Sequence, residues 1–214
     1  MQTQARSQAE VCAPQSGCAE MRGAERFALL IRTAKLVSES GEFLCVVRDV
    51  SASGVRLKLF HPLPPCDRMA IELANGDFYF VEKVWEQDGH AGFRFSAEID
   101  VRRFIDEPSP WPRRAMRLRL ELPAMLSAGE SCPIRVLDLS QSGARIACAR
   151  HLAVGQRIKL EAEGLPPLIA NVCWRSSPDY GLVFQQSFAF AELADVVARL
   201  QMGEPCRMAL ALNA

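Results

Sequence analysis

The sequence has no surplus of charge, because 25 Lys and Arg residues balance 25 Asp and Glu residues. A neutral chain has no overall field that would draw it to nucleic acid or to an anionic membrane, so any anion site must come from a local cluster. No apolar run approaches the roughly 20 residues that a bilayer-spanning helix needs, and the N-terminus lacks the hydrophobic core of a secretory signal. We therefore expect a cytoplasmic protein without membrane insertion.

Recognisable catalytic and metal-binding patterns are also missing. The eight cysteines and three histidines include no Cys-x-x-Cys pair and no spacing typical of zinc ligands. We find no glycine-rich phosphate loop, no paired carboxylates and no nucleophile beside a histidine. The sequence thus predicts no metal, no cofactor and no enzymatic activity. Cys45, Cys148 and Cys173 lie in apolar runs and are expected to be buried, reduced thiols.

The chain contains an internal repeat. Residues 47–57 read VRDVSASGVRL and residues 136–146 read VLDLSQSGARI, an offset of 89 residues. The same offset relates three further pairs: Trp85 and Trp174, Gly92 and Gly181, and Phe95 and Phe184. A constant offset indicates two copies of one structural unit, and two copies are too few for a solenoid. We therefore predict tandem domains, with both paired tryptophans packed in their domains.

Each copy has an all-β pattern. Six short segments rich in β-branched and aromatic residues alternate with turn signals, which suits a small closed barrel. The stretch FAFAELADVVARLQM has helical spacing and predicts a C-terminal helix on the second barrel. The predicted segments are a disordered tail at 1–18, a first barrel at 19–99, a proline- and arginine-rich stiff linker at 100–112, and a second barrel with its helix at 113–207.

The repeated step Asp-x-Ser-x-x-Gly is the first candidate site. It occurs as Asp49, Ser51 and Gly54 in the first copy and as Asp138, Ser140 and Gly143 in the second. Strand alternation places Asp and Ser on one face, and Gly permits a positive φ or a close approach of another group. This polar corner can hold a ligand. It can equally be a satisfied hairpin corner, because Asp and Ser often bond nearby backbone amides.

Arginines upstream of each copy are the second candidate. They are Arg22 and Arg26 before the first copy, and Arg113, Arg114 and Arg117 before the second. A spacing of four residues places the outer pair on one face of either a strand or a helix. Paired guanidiniums can grip phosphate or read the O6 and N7 edge of guanine. A solvated basic stretch is the alternative.

Arg-x-x-x-Arg, a strand and then Asp-x-Ser-x-x-Gly together resemble the PilZ family. The resemblance covers about residues 20–98 and 111–203 and includes the late Gly-x-x-Phe strands. It implies a bacterial receptor for the second messenger cyclic di-GMP. By this resemblance, the arginines contact guanine and phosphates, and the Asp-x-Ser-x-x-Gly corner closes over the other side of the ligand.

The resemblance also implies a mode of signalling. We expect a receptor or adaptor whose barrels reorient through the linker and act on a downstream protein in motility, attachment or exopolysaccharide control. The second copy is favoured as the stronger site, because Glu20 and Glu25 compete for the arginines of the first copy. A protein-interaction module that does not bind the nucleotide is the alternative. Nucleic-acid binding through the linker arginines is disfavoured by the zero net charge.

Overall fold

A computed structural model describes residues 27–66, 68–106 and 115–203, with side chains from residue 32 onward. The described chain forms two closed antiparallel barrels of six strands each, joined in the orders β1-β2-β3-β6-β5-β4 and β10-β11-β12-β9-β8-β7. The strands of the first barrel are β1 (Phe27–Ser38), β2 (Gly41–Val50), β3 (Gly54–Lys58), β4 (Met69–Glu72), β5 (Phe78–Gln87) and β6 (His90–Phe95). Those of the second barrel are β7 (Arg117–Ala128), β8 (Glu130–Ser140), β9 (Gly143–Ala147), β10 (Arg157–Glu161), β11 (Leu168–Ser176) and β12 (Asp179–Phe184).

Alternating side chains build each barrel. In β8, Ile134 and Val136 are buried while Arg135 between them is exposed, so one face of the strand enters the core. Closure removes the unpaired edges that a short open sheet would present to solvent. The prediction of two tandem six-stranded barrels in a mainly all-β chain is confirmed.

A short helix, α1 (Val101–Asp106), follows the first barrel. Its Phe104 is fully buried and packs edge-on against Tyr79 and Phe95. The first part of the predicted linker therefore belongs structurally to the first barrel. The linker prolines, the predicted N-terminal tail and the last residues of the predicted second segment lie outside the described residues.

The predicted C-terminal helix is confirmed as α2 (Phe190–Met202). Glu192 in its first turn accepts a hydrogen bond from the Ala189 N–H at 3.3 Å, and Gly203 ends the helix with a left-handed φ of 70°. Leu193 and its neighbours join the core of the second barrel, whereas Ala198 joins the core of the first. The helix thus contacts both barrels. Within the described ranges, neither helix is long and apolar enough to cross a bilayer.

The cysteine prediction is correct in part. Cys45 is fully buried, and this burial raises the pKa of its thiol to about 12. Cys148 is also buried. Cys173 is exposed, against expectation. The reason is that Leu168, Ala170 and Val172 are the inward residues of β11, so the alternation of the strand turns Cys173 outward.

Candidate functional site

The polar corner of the second barrel is organised by Asp138, at the end of β8. Its carboxylate lies 3.3 Å from the Arg117 Nη1 and 3.0 Å from the Arg145 Nε. Strand pairing explains this placement, because β7 and β9 flank β8 and Arg145 is the register partner of Asp138. The Asp138 side chain is only 10% exposed, whereas the arginine side chains are 53% and 41% exposed. A buried carboxylate thus holds two guanidiniums whose outer faces remain accessible.

The serine and glycine of this corner have local roles. The Ser140 hydroxyl donates to the Gly143 carbonyl at 3.0 Å and is buried. A Cβ on Gly143 would lie 2.1 Å from the Leu182 carbonyl oxygen, so the neighbouring strand β12 requires glycine here. Gly143 does not have a positive φ. The contacts of Ser140 and Gly143 are those of a hairpin corner, whereas the Asp138 carboxylate contacts the two arginines.

The first barrel repeats this arrangement at the end of β2. The Asp49 carboxylate lies 2.6 Å from the Arg56 Nε. The Ser51 hydroxyl accepts a hydrogen bond from the Gly54 N–H at 3.1 Å. A Cβ on Gly54 would approach the Phe93 carbonyl oxygen to 2.9 Å, a less severe contact than that in the second barrel.

Arg56 and Arg145 were not predicted from the sequence. They stand 89 residues apart, each two residues after the motif glycine, in GVRL and GARI. The repeat therefore contained the signal that pointed to them. The motif Asp-x-Ser-x-x-Gly ends at the glycine, so it does not include the strand that carries these arginines.

The paired tryptophans, which were expected to pack in their barrels, lie against the outer surfaces of the barrels and do not enter the cores. Trp85 and Trp174 are 43% and 37% exposed. Each pairs across its strands with a glycine, Gly92 or Gly181, and the indole Nε1 lies 2.0 Å from where a Cβ of that glycine would be. The missing side chain of glycine lets the indole lie flat on the outer surface of the barrel.

An open cavity of about 530 Å³ adjoins the corner of the first barrel. Asp49, Arg56, Trp85 and Arg94 line it, together with residues of the hairpin turn. Its size falls within the range of about 300–1,000 Å³ that is typical of ligand pockets. Guanidiniums and an exposed indole face in one cavity suit a ligand that combines negative charge with a planar ring.

The sequence-predicted residues divide into two groups. The structure brings together Arg117, Asp138, Ser140 and Gly143 at one corner, and Asp49, Ser51 and Gly54 at the other. Arg22, Arg26, Arg113 and Arg114 lie outside the described residues. Their convergence on these corners therefore stays a prediction.

Solved structures resemble the chain at low identity. The Borreliella burgdorferi PlzA protein in complex with c-di-GMP has 11% identity over 82% of this chain and 93% of its own, with a TM-score of 0.32. The Bacillus subtilis inhibitor of motility MotI/DgrA has 13% identity over 82% of this chain and 99% of its own, with a TM-score of 0.36. Escherichia coli YcgR in complex with c-di-GMP has 12% identity over 80% and 83%, with a TM-score of 0.29. No curated protein matches the chain.

The model of the PilZ domain family matches the chain twice, at residues 20–106 and 112–199. Both matches include an Asp-x-Ser-x-x-Gly corner and the strands that form its barrel. Together they cover most of the chain. The chain therefore belongs to the PilZ family, with two PilZ domains in tandem.

Proposed function

We propose that the chain is a non-enzymatic receptor for cyclic di-GMP that acts in the cytoplasm on a downstream protein. Its membership of the PilZ family supports this ligand. The observation that carries the proposal is the placement of Asp138, buried between the half-exposed guanidiniums of Arg117 and Arg145. Such a carboxylate orients both forks before a ligand arrives, which lowers the entropy that binding must overcome.

The ligand chemistry suits this corner. A cyclic guanine dinucleotide presents two phosphates, two purine faces and two O6/N7 edges. Guanidiniums recognise the phosphates and the purine edge through paired N–H donors. Exposed indoles such as Trp174 offer a flat surface for a purine.

The charge balance of the corner indicates which further residues matter. Asp138 contacts both arginines, and Asp179 lies 3.8 Å from the Arg145 Nη1, so two carboxylates match two guanidiniums. A dianionic ligand needs additional positive charge. We propose that Arg113 and Arg114 supply it from the segment immediately before β7.

Strand register supports the equivalent role for the first copy. Arg117 stands two residues before Arg119, the register partner of Asp138. Ala28 is the register partner of Asp49, and Arg26 stands two residues before Ala28 in the sequence. We therefore propose Arg26, with Arg22, for the first corner.

The two corners differ in what they offer. The second remains the proposed primary site, because three arginines precede it within five residues. The first has the cavity of about 530 Å³ and Arg94, which pairs with Glu82 at 2.8 Å, where the second barrel has Val183. We propose it as a site for another ligand molecule.

Isothermal titration of the full chain with cyclic di-GMP tests the receptor function. We expect saturable binding that cyclic GMP and GTP do not reproduce. Arg117→Ala and Arg145→Ala should each weaken binding about tenfold or more, since a hydrogen bond to a charged group contributes about 1.5–3 kcal/mol. Arg135→Ala is the matched control, because Arg135 is an exposed arginine of the same barrel that pairs with Glu121. Its affinity should be unchanged.

Absence of binding by the intact chain, or equal losses in all three variants, would contradict the receptor function. Chromatography of the nucleotide after incubation checks the non-enzymatic part: the ligand should be recovered intact. A protein-interaction module that ignores the nucleotide is the second candidate, and the exposed Phe78 and Phe80 on β5 favour it. Partners captured equally with and without the nucleotide would support that candidate instead.

A further inference from the structure

Between the two barrels lies a buried polar network centred on Glu42. Lys35 and Glu42 are only 5% and 8% exposed, and their charged groups are 3.0 Å apart. The Lys35 ammonium also contacts the Glu72 carboxylate at 2.8 Å. Charges this well buried are costly unless they are paired, so the network has few alternative arrangements of equal energy.

Glu42 is also bound from the second barrel and from α2. Its carboxylate accepts the backbone N–H of Arg119 at 2.9 Å. The Gln201 side chain accepts the Glu42 N–H at 2.6 Å and donates to the Glu42 carbonyl at 2.7 Å. One residue of the first barrel is therefore fixed both by β7 and by the last turn of the helix that follows the second barrel.

The network reaches the candidate site along a single strand. Arg119, which donates to Glu42, is the register partner of Asp138 on β8. Arg117, whose guanidinium contacts Asp138, is two residues earlier on β7. A paired strand moves as a unit, so a ligand that pulls on Arg117 also shifts the backbone N–H that holds Glu42.

We infer that Glu42 is the positioning residue that couples ligand binding at the Arg117–Asp138 corner to the packing of the first barrel on the second. This inference rests on the proposed cyclic di-GMP function and specifies its regulation. The coupling passes through a buried contact between the barrels and does not depend on the stiffness of the linker. A buried network of this kind can adopt more than one packed arrangement, and a ligand that binds one arrangement more tightly shifts the population toward it.

Hydrogen exchange of the full chain, with and without cyclic di-GMP, tests the coupling. In the unaltered protein the nucleotide should slow exchange in residues 117–140 and change it in residues 41–47 and 198–203. Glu42→Gln removes the charge that pairs with Lys35; it should keep the first response and reduce the second by about half or more. Gln201→Leu, which breaks both hydrogen bonds from the helix, should do the same. Glu161→Gln is the control, because Glu161 forms an exposed ion pair with Lys159.

The outcomes separate this inference from the receptor function. If the nucleotide fails to slow exchange in residues 117–140 of the unaltered protein and of every variant, the receptor function is wrong. If it slows exchange there but leaves residues 41–47 and 198–203 unchanged, or changes them equally in Glu42→Gln and the control, the coupling through Glu42 is refuted. At a nucleotide concentration that half-saturates the unaltered protein, Arg117→Ala should reduce both responses together. A change at the interface that persists while the response of residues 117–140 is lost would also overturn the inference.

Discussion

The hairpin between β1 and β2 contains a glycine whose replacement reports directly on the contact between α2 and the first barrel. Gly41 has a φ of 135°, and a Cβ placed on it would lie 1.5 Å from the Gln201 Oε1. Gln201 would have to leave, and its two hydrogen bonds to Glu42 would be lost. At about 0.5–1.5 kcal/mol net for each bond, Gly41→Ala should cost about 1–3 kcal/mol from this source. Backbone strain at the positive φ adds to this cost.

Gly129 provides the matched control. It occupies the corresponding hairpin of the second barrel with a φ of 92°, and nothing lies within 4 Å of a Cβ placed there. Gly129→Ala should therefore cost the strain without the contact. Urea unfolding followed by tryptophan fluorescence measures both free energies of unfolding.

A double-mutant cycle separates the contact from the strain. In a Gln201→Ala background the clash at residue 41 is absent, so Gly41→Ala should cost only its backbone strain. The coupling energy between residues 41 and 201 should then be about 1–3 kcal/mol. Strictly additive losses would show that Gln201 does not hold the first barrel as the hydrogen bonds indicate.

Three further predictions concern single sites. Gly143→Ala should destabilise the protein by about 2–3 kcal/mol, measured as a lowered free energy of unfolding, because the Leu182 carbonyl that it meets belongs to a strand and cannot swing away. The hydrogen bonds from Arg103 lower the pKa of Asp77, so the stability from this pair is present above the ordinary carboxyl pKa of about 4 and is lost as the pH falls through the lowered value. Melting temperatures of the unaltered protein and of Arg103→Ala should therefore converge in acid, and a constant difference down to pH 2 would contradict this. Burial lowers the pKa of His61, so its neutral form stabilises the protein above the ordinary histidine pKa of about 6.5. This stability should be lost as the pH falls from about 6.5 through the lowered pKa of His61. His61→Phe should remove this loss in the same melting experiment.

The sequence was most informative where strands repeat at a fixed offset. The matched landmarks predicted tandem domains, and the short apolar segments between turn signals predicted the barrels. The helical spacing near the C-terminus predicted α2. These signals are local or periodic, so one sequence was sufficient to read them.

Other features depend on contacts between distant residues. Asp138 was predicted as part of the site, but the motif ends before Arg145. The repeat marks Arg145 only as a recurring arginine, and its contact with Asp138 depends on the pairing of β8 with β9. The tryptophans ended apolar strands and so suggested packing in the barrel. Only the pairing of Trp85 with Gly92 shows that the indole lies on the outside.

The packing between the barrels could not be predicted because it joins residues far apart in the chain. Glu42 and Gln201 are 159 residues apart, and neither belongs to a motif. Leu44 of the first barrel lies within the core of the second, and Ala198 of α2 lies within the core of the first. No periodic pattern in the sequence of either copy predicts that these residues join the core of the other barrel.

This exchange of core residues limits how the barrels can move. Phe60 in the first barrel packs edge-on against Phe190 of α2 at 5.5 Å, beside the Leu44 contact. A wide hinge motion would expose these side chains, at roughly 1.5–3 kcal/mol for each large apolar residue. The selective affinity of a ligand would have to offset that cost. Small shifts that keep the apolar contacts and rearrange the polar network at Glu42 cost much less. For the proposed receptor function, a rearrangement of the polar network at Glu42 therefore costs less than a wide separation of the two barrels.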